Sequence, residues 1–82
     1  MNKDDRTFTV RATPHQWECL HQAIVSEKYG ALRHEPLVAR LEGLGYVTVM
    51  HAAHGFVWLY PTEAGRAAWA RYHAIFMGEP TP

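Results

Sequence analysis

The stretch "YVTVMHAAHGFVWLYP", residues 46–61, decides how this chain folds. Both of its ends are rich in β-branched and aromatic residues, which favour strands, and a short segment of small and polar residues separates them. His54-Gly55 is the best turn, because glycine takes a positive φ freely and histidine tolerates one better than branched residues do. Pro61 closes the second run. The stretch therefore predicts a β-hairpin over residues 46–60.

A helix is predicted well before the hairpin, in "TPHQWECLHQAIVSEKYG", residues 13–30. Thr13 is a good N-cap, Pro14 suits the first helical position, and Gly30 is the expected C-terminal stop. Apolar residues recur at helical spacing and should face the core. They are Trp17, Leu20, Ala23 and Ile24.

A second helix leads into the hairpin, in "RHEPLVARLEGLGY", residues 33–46. Pro36 fits its first turn, and Gly43 and Gly45 end it. One face of this helix is apolar. It carries Leu37, Leu41 and Leu44.

A third helix follows the hairpin in "PTEAGRAAWARY", residues 61–72, with Thr62 as its cap. Gly65 and Ala68 are small enough to let this helix lie close against the hairpin or the first helix. Trp69 and Tyr72 then fill the remaining space. Phe76 continues the same face.

The two ends of the chain complete the prediction. Residues 1–6 and 78–82 are polar and expected to be loose, whereas "TFTVRA", residues 7–12, alternates with Phe8 and Val10 on one side and indicates a short strand. The predicted order is strand, helix, helix, hairpin, helix. We therefore expect a single α+β domain over residues 1–82, a compact winged-helix-like arrangement of helices around a hairpin.

Length and composition narrow the class of protein. Eighty-two residues make one small domain, and 48% hydrophobic residues describe a globular chain. The charges of eight basic and eight acidic residues cancel, so the chain lacks the excess of basic residues found in many nucleic-acid-binding proteins. The single cysteine, Cys19, excludes an internal disulfide and fits a reducing compartment. Without an apolar membrane or signal segment, a cytoplasmic protein is expected.

Three fragments, in order, resemble the winged-helix domain of MarR-type transcription regulators. "ATPHQWECLHQ" (12–22) is similar to the start of their first domain helix, "LVARLEGLGYV" (37–47) to the end of their recognition helix, and "PTEAGRAAW" (61–69) to the exit from their wing. The resemblance implies a dimeric DNA-binding regulator. It departs from the family between the first two fragments, where "EKYGALRHEP" (27–36) replaces a further helix and truncates the helix-turn-helix.

The resemblance places candidate DNA contacts on the second helix and the wing. A helix N-terminus in the major groove with basic side chains positions phosphates and reads bases. Glu35 and Pro36 occupy positions where the family has small polar or basic residues, and the wing has no lysine or arginine. The candidate DNA-binding residues are Arg33, His34, Arg40, His51 and His54.

No metal site, cofactor or enzyme is predicted. The pairs His51 with His54 and His15 with Cys19 have ligand chemistry, but neither matches a specific zinc motif. A thiol–imidazole pair of Cys19 with His15 or His21 would lie on one helix with no oxyanion donors nearby, so a structural cysteine is preferred.

A protein-interaction module is the alternative function. Three tryptophans, four tyrosines, three phenylalanines and three methionines are more than so small a core can hold, and surplus aromatic residues mark interfaces. Trp58 and Tyr60 belong to this surplus. Ile75, Phe76 and Met77 are the candidate interface with a protein partner or a second copy. A small phage or mobile-element protein that blocks a host complex would fit this function, and no membrane partner is expected.

Overall fold

The structure is a computed structural model that describes residues 2–77. Its three strands form one antiparallel sheet, in which the last strand of the chain lies between the other two. Apolar residues from one side of the sheet and from the helices share a single core. In chain order the elements are α1 (Lys3–Thr9), α2 (Pro14–Ser26), β1 (Tyr29–Leu32), α3 (Pro36–Gly43), β2 (Val47–His51), β3 (Phe56–Pro61) and α4 (Glu63–Met77).

The hairpin prediction is confirmed. β2 and β3 pair antiparallel with Val49 opposite Leu59. The backbone reverses at His54 and Gly55, whose φ angles are 57° and 75°. Both values lie in the left-handed region, which is why the turn falls on the glycine and the residue before it.

Helix α2 begins as predicted and ends early. Thr13 caps it in a capping box with Gln16, each side chain bonding the other residue's backbone N–H. The helix ends at Ser26 because Glu27 adopts a left-handed conformation, with φ 71°. The predicted stop at Gly30 is therefore wrong, and that glycine belongs to β1. The apolar stripe of the helix does face the core.

The predicted strand over residues 7–12 is wrong, because this region belongs to helix α1. The Asn2 side chain accepts a hydrogen bond from the Asp5 N–H at 2.8 Å, and Asp4 and Asp5 suit the positive end of the helix. Phe8 is buried, whereas Val10, just beyond the helix, is 70% exposed. Residues 3–6 are therefore helical rather than loose, and residues 78–82 lie outside the described part of the chain.

The third strand, β1, is absent from the prediction. It pairs antiparallel with β3, with Gly30 opposite Trp58. The observed order is helix, helix, strand, helix, hairpin, helix, which differs from the predicted order. The α+β class is confirmed.

The core centres on Trp17 of α2. Its indole N–H donates to the Thr9 carbonyl at 2.9 Å, which ties α2 to the end of α1. The ring stacks on Tyr72 of α4, with centroids 4.4 Å apart, and also contacts Phe8 and Tyr46. One tryptophan therefore joins both terminal helices to the start of the hairpin.

Candidate functional site

The outward side of the sheet carries large apolar side chains. Along β3, Val57 and Leu59 are fully buried, so Phe56, Trp58 and Tyr60 point the other way. The antiparallel register places Leu32 beside Phe56, and Met50 beside Trp58. We call this surface the outer sheet face, and it consists of Gly30, Leu32, Thr48, Met50, Phe56, Trp58 and Tyr60.

Much of the outer sheet face is open to solvent. Met50 is 54% exposed, Leu32 44% and Tyr60 37%, while Phe56 and Trp58 are half-buried. The three strands contain no aspartate, glutamate, lysine or arginine. In an antiparallel sheet with one side exposed, apolar residues normally point to the core and polar residues to the solvent. Here the residues that point to the solvent are mostly apolar.

Gly30 shapes the part of this face that lies on β1. A Cβ at residue 30 would overlap the ring of Phe56 and lie 3.2 Å from the ring of Trp58. The two rings meet edge to face, with centroids 5.0 Å apart. Because residue 30 has no side chain, the aromatic rings of β3 extend over β1 and make one continuous apolar surface.

One cation borders the outer sheet face. The Lys28 ammonium lies over the Trp58 ring, 4.4 Å from its centroid. The only ion pair within residues 2–77 joins Arg71 to Asp5, so no described carboxylate pairs with this lysine.

Two of the predicted DNA-binding residues lie beside the hairpin turn. Arg33 and His34 form the connection between β1 and α3, and the Arg33 N–H donates to the Gly55 carbonyl at 2.8 Å. This bond brings them next to His54, on the turn itself. Glu35 lies in the same connection, where its carboxylate accepts from the Leu32 N–H at 3.0 Å.

The side chain of Arg40 is bonded elsewhere in the fold, and not beside Arg33 and His34. Its guanidinium donates to the Arg11 carbonyl and so connects α3 to the α1–α2 loop. His51, at the end of β2, is exposed. The structure thus gives Arg40 a bonding role within the fold that the sequence did not predict.

The predicted interface residues lie at the end of α4. Phe76 is 53% exposed and Ile75 packs partly against the core, while the Met77 side chain lies outside the described part of the structure. Phe76 and Tyr72 line an open groove of ≈ 330 Å³ with Val10, Ala12 and Pro14. A partner at this end of α4 stays a prediction.

The cysteine is buried beside partly exposed polar side chains. The Cys19 thiol is 3% exposed, and its sulfur lies 3.6 Å from Nε2 of His15. A hydrogen bond with Cys19 raises the pKa of Tyr29, and burial and the nearby Cys19 and Glu35 charges act in the same direction. Within residues 2–77, no three His, Cys, Asp or Glu side chains form a group suited to a metal ion.

The outer sheet face was predictable from the sequence in part. The surplus of aromatic residues pointed to Trp58 and Tyr60, while Leu32 was missed because β1 was not predicted. Comparison of the chain with protein-family models, curated proteins and solved structures gives no match. Among residues 2–77, no helix has the length and apolar character needed to cross a bilayer.

Proposed function

We propose that this chain is a protein-interaction module on a winged-helix-like scaffold, and that the outer sheet face is its binding surface. The observation that carries the proposal is a solvent-facing sheet surface built from aromatic and aliphatic side chains, with no charged residue in its strands. Contiguous apolar surface in a small protein marks an interaction site, and aromatic residues and methionine are enriched at such sites.

The order of elements supports the winged-helix-like scaffold. Helix α3 runs into the hairpin through Gly45, and a strand that precedes α3 completes the sheet. The fragments that resemble MarR-type regulators fall on the start of α2, on the passage from α3 into β2 and on the passage from β3 into α4. Between the first two fragments, where the family has a further helix, residues 27–36 contain β1 instead, so the scaffold is a shortened one.

Four features favour a protein partner over DNA. The Arg40 side chain is engaged by the Arg11 carbonyl, the hairpin has no lysine or arginine, and Glu35 places a carboxylate at the N-terminus of α3. Helix N-termini favour phosphate, and a carboxylate already there repels it. The chain has no net charge to attract nucleic acid at long range.

The proposal is tested with Met50→Lys, which places a charge on the outer sheet face, beside Trp58. Val25→Lys is the matched control, since Val25 is 64% exposed and lies on α2, in the helical layer. The proteins that bind to the wild-type chain and to each of the two variants are identified by quantitative mass spectrometry, and the three sets are compared. We expect a set of proteins that Met50→Lys loses and Val25→Lys keeps.

Identical capture by all three chains would refute the proposal. Circular dichroism and thermal unfolding provide the folding control, and both variants should match the wild type because both positions are exposed.

DNA binding is a second candidate function, favoured by the hydrogen bond between Arg33 and Gly55. That bond gathers Arg33, His34 and His54 at one end of the sheet. If they contact phosphate, the anisotropy of a fluorescent random duplex should rise at low salt and fall steeply between about 50 and 200 mM salt. Arg33→Ala should weaken this binding, and Arg66→Ala, on the exposed side of α4, should not. No anisotropy change at low salt excludes this function.

A further inference from the structure

We infer that the outer sheet face binds a single amphipathic helix of a partner protein, about 12 residues long, which carries an aspartate or glutamate against Lys28. The inference rests on the proposed function and names the chemistry of the partner. Its grounds are the size of the face, the arrangement of its side chains, and the position of the lysine.

The outer sheet face has room for one helix. Three strands at a spacing of about 4.8 Å, each advancing about 3.3 Å per residue, give a surface roughly 14 Å wide and 18 Å long. A stable protein dimer buries about 800 Å² on each partner, which is well beyond this surface. A helix with its side chains is about 10–12 Å across, and ~12 residues span ~18 Å.

The side chains form rows that suit the apolar stripe of a helix. Gly30, Trp58 and Met50 face one another across the three strands, with Trp58 in the middle. Leu32 and Phe56 form the neighbouring row. Gly30 leaves no ridge between the rings and the edge of the sheet. Sheets in proteins commonly cover an apolar face with a helix, and here the inner face already has its helices while the outer face has none among the described residues.

Lys28 defines the charge that the partner needs. Its ammonium lies over the Trp58 ring, at the border of a face that is otherwise uncharged, and it has no carboxylate partner among residues 2–77. A helix docked on Trp58 would remove water from this ammonium. A carboxylate on the helix offsets that loss, since charges at an interface are stabilised by complementary ones.

The test is a selection from a displayed library of random 16-residue peptides against the immobilised protein. We expect enriched peptides to have apolar residues at positions i, i+3 or i+4 and i+7, together with Asp or Glu. One such peptide, made with a fluorescent label, should gain helical circular dichroism on binding. Its affinity should fall at least about tenfold with Lys28→Glu, whereas Lys3→Glu, an exposed change on α1, should leave it unchanged.

A second selection, on Lys28→Glu, should enrich Lys or Arg in place of the acidic residue. Enrichment of peptides that alternate with period two would indicate strand addition at the sheet edge. Sedimentation that shows a dimer, lost in Met50→Lys, would indicate a second copy on the face. Either result overturns this inference while leaving the protein-interaction proposal intact. The inference is also overturned if the selection enriches no peptide whose binding is lost in Met50→Lys. In that case the mass-spectrometry comparison of captured proteins decides whether the proposed function stands.

Discussion

The α-carbon of Gly65 lies directly against the backbone carbonyl of Tyr46. A Cβ at residue 65 would overlap that carbonyl oxygen. The carbonyl has little freedom to move, because it accepts a hydrogen bond from the Thr62 N–H at 3.0 Å, while the Tyr46 N–H donates to Leu41 at 3.0 Å. The contact sets how closely α4 can approach the hairpin.

Gly65→Ala is therefore expected to lower the free energy of unfolding by about 1–3 kcal/mol, the usual range for overpacking. Helix propensity alone would favour the alanine by about 1 kcal/mol. Urea unfolding followed by circular dichroism measures the change. Gly43→Ala is the control: apart from its own helix backbone and chain neighbours, no atom of the described residues lies within 4 Å of the added methyl group, so we expect a neutral or stabilising effect. Equal effects of the two substitutions would contradict the close contact.

Thr62 fixes the same junction through its hydroxyl. Its Oγ1 accepts from the Gly65 N–H at 2.9 Å and donates to the Gly45 carbonyl at 2.6 Å. Thr62→Ala should cost about 1–2 kcal/mol, as loss of a helix N-cap does. Thr62→Ser keeps the hydroxyl and should recover most of that loss in the same urea titration. If Thr62→Ser is as unstable as Thr62→Ala, the loss of the threonine methyl group, and not of the hydroxyl, explains the effect.

The Tyr46 hydroxyl is buried and has no hydrogen-bond partner among the described residues. Removing an unsatisfied polar group removes its desolvation cost. We expect Tyr46→Phe to leave the melting temperature unchanged or to raise it. Tyr29→Phe is the comparison, because it removes the hydroxyl whose interaction with Cys19 raises the pKa of Tyr29, and it should lower the melting temperature at neutral pH. Clear destabilisation by Tyr46→Phe would reveal a partner for that hydroxyl.

The raised pKa of Tyr29 predicts a loss of stability in alkali. The folded state favours the protonated phenol, so the unfolded chain releases this proton first, near the usual value of 10.0. The contribution of Tyr29 is fully present below about pH 10 and is lost as the pH rises further. Unfolding free energies from pH 8 to 11 should fall less steeply for Tyr29→Phe than for the wild type. Parallel curves would show that Tyr29 titrates normally.

Elements with strong local signals were predictable from sequence. The hairpin carries both its strand formers and its turn, and α2, α3 and α4 each begin with a cap or a proline. Helix α1 was not predicted, because Phe8 and Val10 imitate the alternation of a strand. The cap at Asn2 and the acidic residues of the first turn favour a helix, and the contact of Phe8 with Trp17 sets the side that faces the core.

The remaining strand and part of the site depend on contacts distant in sequence. Residues 29–32 form a strand because they pair with β3, and a four-residue segment with a central glycine has no periodicity to detect. The outer sheet face exists only once that pairing is made. The engagement of Arg40 by the Arg11 carbonyl, 29 residues away, likewise follows from packing and not from a motif.

The pairing of α1 with α4 affects how the chain can be joined to other molecules. Arg71 lies 3.5 Å from Asp5 and over the Phe8 ring, so both terminal helices belong to the layer behind the sheet. A linker, an affinity handle or a fluorescent protein joined to the chain ahead of α1 would thus start from that helical layer, away from Trp58. Surface immobilisation through such a fusion should keep the aromatic side of the molecule turned toward the solution.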